Sequence, residues 1–228
     1  MVKLNNNSEA IPFILAVLWF GFVSVNVNQL LGLIYLAVFT LGGMVIYKWD
    51  AIRTTPLDKN GKWFMPFVQG VFVYVGFVLI ASLLLPLFQK IPVGELIQLI
   101  ATTTPALAGS QILNTITFVI FVPFAETIFF VILMDFFATK MNVDISKRGL
   151  FKVGTWALVI GLSFVFLLFH VTAKGVTNNV ALLLVFLMMF VTLMVTIFFG
   201  ESKQAIFFHM IANAFGVGLL ATITGVIV

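Results

Sequence analysis

Four polar side chains in this 228-residue chain stand where hydrolytic chemistry could be done. Glu126 interrupts the apolar run Phe121-Val-Pro123-Phe-Ala-Glu126-Thr127-Ile-Phe-Phe130. His170 closes Phe166-Leu-Leu-Phe-His170, and His209 and Asn213 stand in Phe207-Phe-His209-Met-Ile-Ala-Asn213. A carboxylate deep in an apolar segment can serve as general base, an imidazole can orient or share its proton, and an imidazole with a carboxamide can donate to a developing oxyanion. Those are the parts needed to hydrolyse an amide. Spacing favours convergence. His209 and Asn213 are one helical turn apart on a single face, and Phe166 and His170 repeat that interval. The chain has no cysteine, which excludes thiol catalysis, thiolate metal sites and disulfides. Glu126, His170 and His209 would also suit a catalytic zinc with an open fourth position, so these residues leave metal-dependent and metal-free hydrolysis open. No required cofactor is the expectation.

These residues draw notice because of where they are. An ionisable group in the hydrocarbon region costs about 2.5 to 3.5 kcal/mol on insertion scales, so each one there is a functional candidate. Both histidines of the chain fall in apolar runs. Of the 8 acidic residues, Glu9, Asp50, Asp58, Glu95, Asp144 and Glu201 lie in or beside loops, and only Glu126 and Asp135 remain. Asp135 falls on the opposite helix face from Glu126 and about one turn from Lys140, which reads as an interfacial residue. The competing reading of a membrane histidine or asparagine is hydrogen bonding between helices. A Glu, two His and an Asn on three separate segments weigh against that reading for the set.

The segments that carry them are set by composition. The chain is 62% apolar and 9% charged, with mean hydropathy +1.20, whereas soluble domains are about 25% charged. This predicts an all-α, polytopic integral membrane bundle forming a single domain over 1–228. Apolar runs fall at 11–25, 30–47, 64–88, 114–139, 153–171, 180–199 and 205–228, giving about seven spans of roughly 20 residues. The first is short enough that 11–47 could be a hairpin that does not fully cross. We expect it to be retained, since no small-residue cleavage site follows it. Residues 89–113, with Glu95, Pro105 and Gly109, read as an interfacial segment. No internal repeat is evident.

Charge supports this count. Of the 12 lysines and arginines, all but Lys90 and Lys174 fall on one side of the predicted membrane, which places the N-terminus in the cytoplasm. Trp49 and Trp63 flank a loop on that side, as interfacial anchors do. The net charge of +4 is spread over loops and forms no basic face, so nucleic acid is excluded as a partner. The topology also raises a conflict of depth: straight fifth and seventh spans running the same way would hold His170 near one boundary and His209 near the other. Either residues 150–156 are interfacial and the fifth span begins late, or the 200–204 turn lies deep.

Taken in order, the motifs resemble those of the CAAX prenyl endopeptidase and bacteriocin-processing family of intramembrane proteases, also called the CPBP or Abi family. Its motifs are Glu-Glu-x-x-x-Arg, Phe-x-x-x-His and His-x-x-x-Asn. Phe166 to His170 and His209 to Asn213 match the second and third. In the first, Pro123, Glu126 and Phe130 stand in place, while Thr127 replaces the second glutamate and Val131 the arginine. The resemblance covers about residues 114–218. It implies a multi-pass protein of the cell membrane that cleaves a membrane-bound peptide or protein, such as a prenylated CAAX terminus or a leader peptide. Glu126 and His170 would activate water, and His209 and Asn213 would donate to the oxyanion. Family members have been described both as metalloproteases and as metal-independent glutamate proteases. A non-enzymatic immunity or scaffold protein of the same fold is the alternative, and a transporter or channel is the third reading.

Overall fold

The computed structural model describes residues 64–88, 117–174 and 179–223, and every regular element among them is helical. In chain order these are α1 (Phe64–Phe88), a π-helical turn (Thr117–Phe121) continuing into α2 (Val122–Lys140), a 3-10 turn (Lys147–Phe151), α3 (Val153–Lys174), α4 (Asn179–Phe199) and α5 (Lys203–Ile223). A backbone without water must satisfy its own N–H and C=O groups, and in a continuous apolar run the helix does so locally. Four helical stretches are long and apolar enough to cross a membrane: Phe64–Ala81, Val119–Lys140, Val153–Val171 and Leu182–Phe199. α5, with Lys203, Gln204, His209 and Asn213 along it, is not one of these four.

Five of the predicted runs coincide with helices to within a few residues. The runs at 11–25 and 30–47, and the segment 89–113, lie outside the described residues.

α2 is the hub. From Ala125 to Met134 it is buried throughout, packed against α3, α4 and α5. Phe130 meets Phe166 of α3 edge to face at 5.2 Å, and a core of Phe129, Met134, Leu158, Leu162, Met189 and Leu193 fills the space around them. Trp156 and Phe190 at 5.8 Å, and Phe164 and Phe186 at 4.9 Å, hold α3 to α4. Three hydroxyls within this apolar mass turn back on their own helices. Ser163 donates to the Val159 carbonyl, Thr192 to that of Met188 and Thr196 to that of Thr192.

α1 attaches to the bundle through α5. Three aromatic pairs bind them: Phe67–Phe207 at 5.5 Å, Phe77–Phe208 at 5.4 Å and Tyr74–Phe215 at 5.1 Å. At Gly70 the helices come so close that a Cβ would lie 2.8 Å from the Cβ of Phe207 and 3.0 Å from the Phe208 nitrogen. The side of α1 bearing Phe72, Leu79 and Ile80 is exposed.

The two described connections on the Lys147 side differ. Between α2 and α3, Asp144 accepts from the Ser146 N–H at 3.0 Å and from the Lys152 ammonium at 2.8 Å, while its carbonyl takes the Thr155 hydroxyl. That loop is largely exposed. Between α4 and α5 the chain turns inward. Phe198 lies 5.3 Å beneath the Lys147 ammonium, and Gly200, at φ +74°, adopts the left-handed conformation that glycine takes without penalty. Glu201, Ser202, Lys203 and Gln204 then follow, all buried.

Candidate active site

The site forms where α2, α3 and α5 meet. Pro123 sits in the first turn of α2, where a residue without an N–H is tolerated, and Glu126 follows one turn later. Its side chain is buried and its Oε2 lies 3.5 Å from Nε2 of His209, itself fully buried. The next residue, Thr127, places Oγ1 3.1 Å from Nδ1 of the same imidazole. Consecutive residues of α2 therefore address the two nitrogens of one ring on α5.

His170 approaches from α3, also buried. Its Nδ1 lies 3.0 Å from the carbonyl oxygen of Phe166. A carbonyl only accepts, so Nδ1 carries the hydrogen and the lone pair falls on Nε2. Phe166 is the spacer of the site: its ring centroid is 4.2 Å from that of His170 and 6.3 Å from that of His209. Asn213 stands one turn beyond His209 on α5, half-buried.

His170 and His209 thus lie against one phenylalanine, with Glu126 beside His209, which bears on the conflict of depth. At 1.5 Å per residue, Phe166 is about 20 Å into α3 and His209 about 9 Å into α5. Their rings meet because α5 starts deeper than α3. The inward turn supplies the offset, with Glu201 6%, Ser202 2% and Gln204 2% exposed. The turn is satisfied in part by amides: the Gln204 Nε2 group donates to Oε1 of Gln69 on α1 at 2.8 Å and to a carboxylate oxygen of Glu201. Glu201 was expected beside a loop. It does occupy a turn, but one folded into the protein, because the α1–α5 contact closes over it.

Asp135 is half-buried and Glu126 is buried, in keeping with opposite faces of α2. Val131, where the resembled motif has arginine, is part of the apolar core. Sequence reasoning passed over Thr127 as a departure from a pattern. The one available signal was its position beside the base, since neighbours on a helix flank the same groove. Gln69 gave no signal at all, being 135 residues from its partner.

No group of three or more His, Cys, Asp or Glu side chains that could hold a metal ion occurs among the described residues. Compared with known proteins, the chain matches no family model, and neither a curated protein nor a solved structure is significantly similar to it.

Proposed function

We propose that this chain is an intramembrane endopeptidase of the CPBP type. It hydrolyses a peptide bond of a membrane-bound peptide or protein and sits in the cell membrane with its N-terminus in the cytoplasm. The observation that carries this reading is the Glu126 carboxylate set 3.5 Å from His209 in a buried setting, with His170 across a single phenylalanine ring. A buried carboxylate beside an imidazole, with a second imidazole on the same phenylalanine, is costly to keep and suits general-base chemistry.

In this mechanism Glu126 and His170 orient a water, and Glu126 accepts its proton as the oxygen attacks the peptide carbonyl. His209 and Asn213 donate to the oxyanion, contacts typically worth about 2.7 to 4 kcal/mol each. Glu126 then returns the proton to the departing amine. Each step uses only this chain's own side chains and water.

A second reading, a non-enzymatic immunity or scaffold protein, is favoured by one observation: Val131, which stands where the resembled motif has its supporting arginine, is packed in the apolar core. One experiment separates them. Purified protein in lipid is offered membrane-tethered and prenylated peptides, wild type against Glu126→Gln, with and without a zinc chelator. The protease reading expects cleavage that is lost in Glu126→Gln while expression and folding stay intact. Cleavage lost with chelator would assign the chemistry to a metal. No cleavage by a folded wild type would leave the scaffold reading standing.

A further inference from the structure

We infer that Thr127 is a positioning residue that fixes His209 in the Nε2–H tautomer, opposite to His170, so that the two histidines of the chain are locked into different chemical roles. The inference deepens the proposed hydrolytic site and rests on it only for its consequence in catalysis.

The argument begins with one hydroxyl. Thr127 is 0% exposed, and among the described residues the one hydrogen-bond partner of its Oγ1 is Nδ1 of His209, at 3.1 Å. Three other buried helical hydroxyls, of Ser163, Thr192 and Thr196, donate to the carbonyl one turn back on their own helices. Thr127 instead reaches across to α5. A hydroxyl has one hydrogen to give and lone pairs to receive with. If Nδ1–H donated to Oγ1, the Thr127 hydrogen would be left without an acceptor at a fully buried position, an expensive state for a polar group. If Thr127 donates, both atoms are satisfied. Nδ1 is then the acceptor and the ring hydrogen sits on Nε2, the nitrogen that faces the Glu126 carboxylate. An imidazolium would carry a hydrogen at Nδ1 and strand the same hydroxyl.

His170 is set the other way by the Phe166 carbonyl, which demands a hydrogen on Nδ1. One ring therefore offers a basic Nε2 and the other an N–H. That division fits a site in which His170 helps hold the attacking water and His209 donates to the oxyanion. Thr127 makes the assignment at His209 by its hydroxyl alone, without a second carboxylate in that place.

The test reads the tautomers directly. Nitrogen-15 histidine labelling of the full chain in lipid gives two imidazole spin systems, since the chain has two histidines, and His170→Gln assigns them. We expect His209 to be protonated at Nε2 alone and His170 at Nδ1 alone. Thr127→Val should move His209 into the other tautomer or a mixture, and Thr127→Ser should restore the wild-type pattern. If the peptide panel reveals turnover, Thr127→Val should lower kcat about tenfold with KM unchanged, the scale of one hydrogen bond. A wild-type His209 that is protonated at Nδ1 or at both nitrogens overturns the inference, as does a Thr127→Val spectrum equal to wild type. Should that variant fail to fold, the wild-type and Thr127→Ser spectra still decide. The spectra need no activity, so this inference and the protease reading can fail separately.

Discussion

Asp144 organises the turn between α2 and α3 with one carboxylate. The Lys152 ammonium, followed by the Ser146 contacts, holds its carboxyl well below the usual carboxylate range. A folded-state pKa below the unfolded one means that the unfolded chain binds the proton more readily. The contribution to stability is thus complete above the unfolded value of about 3.9 and is lost as pH falls further, toward the lowered folded value. Because both side chains are partly solvated, the effect is small. Thermal unfolding in detergent should find Asp144→Asn less stable than wild type at pH 7, with the gap closing toward pH 3; an equal gap at both would refute it. At this same scale the candidate site was half legible. Glu126, His170 and His209 announce themselves as ionisable groups in apolar runs. Thr127 does not, because a helical threonine commonly satisfies itself on its own backbone, as Thr192 and Thr196 do, and only a neighbouring helix reveals the exception.

Between elements, the decisive contact is α1 on α5, and it depends on the missing side chain at Gly70. A methyl there would press on Phe207 and on the backbone at Phe208 and Gln204, so the helices must separate or the aromatic pairs beside them must shift. At Gly76, six residues along the same helix, an added Cβ meets nothing within 4 Å. Overpacking typically costs about 1–3 kcal/mol, whereas an alanine in an unobstructed helix position is neutral or gains a few tenths up to about 1 kcal/mol. Melting curves should therefore move down for Gly70→Ala and stay level or rise for Gly76→Ala. Equal shifts for the two would mean that α1 is not seated on α5 as described. The helices themselves were readable because a run of apolar residues long enough to cross a bilayer has one backbone solution. Their offsets were not, since composition gives the length of a helix but not the depth at which a turn leaves it starting.

For the molecule as a whole, the proposed orientation follows from the asymmetry of lysine and arginine, and the absence of cysteine makes it easy to test. Single cysteines at Arg148 and Lys174 bracket α3. In right-side-out vesicles an impermeant maleimide should label Lys174→Cys and spare Arg148→Cys, and in inverted vesicles the pattern should reverse. The opposite result would invert the orientation, and labelling of both from one side would mean that α3 does not cross. The bundle also has an order in time. Glu126 is made well before His209, and the contact that seats α5, Gln204 on Gln69, joins residues 135 positions apart. A ribosome delivers α1 and α2 into the bilayer while that partner is still unsynthesised, so the carboxylate waits for His209 while the residues between them are made. The arrangement acts as an assembly clock: in a chain still being made, or one cut short before α5, the contacts of Glu126 and Thr127 with His209 do not exist, and they form only when α5 closes on α2.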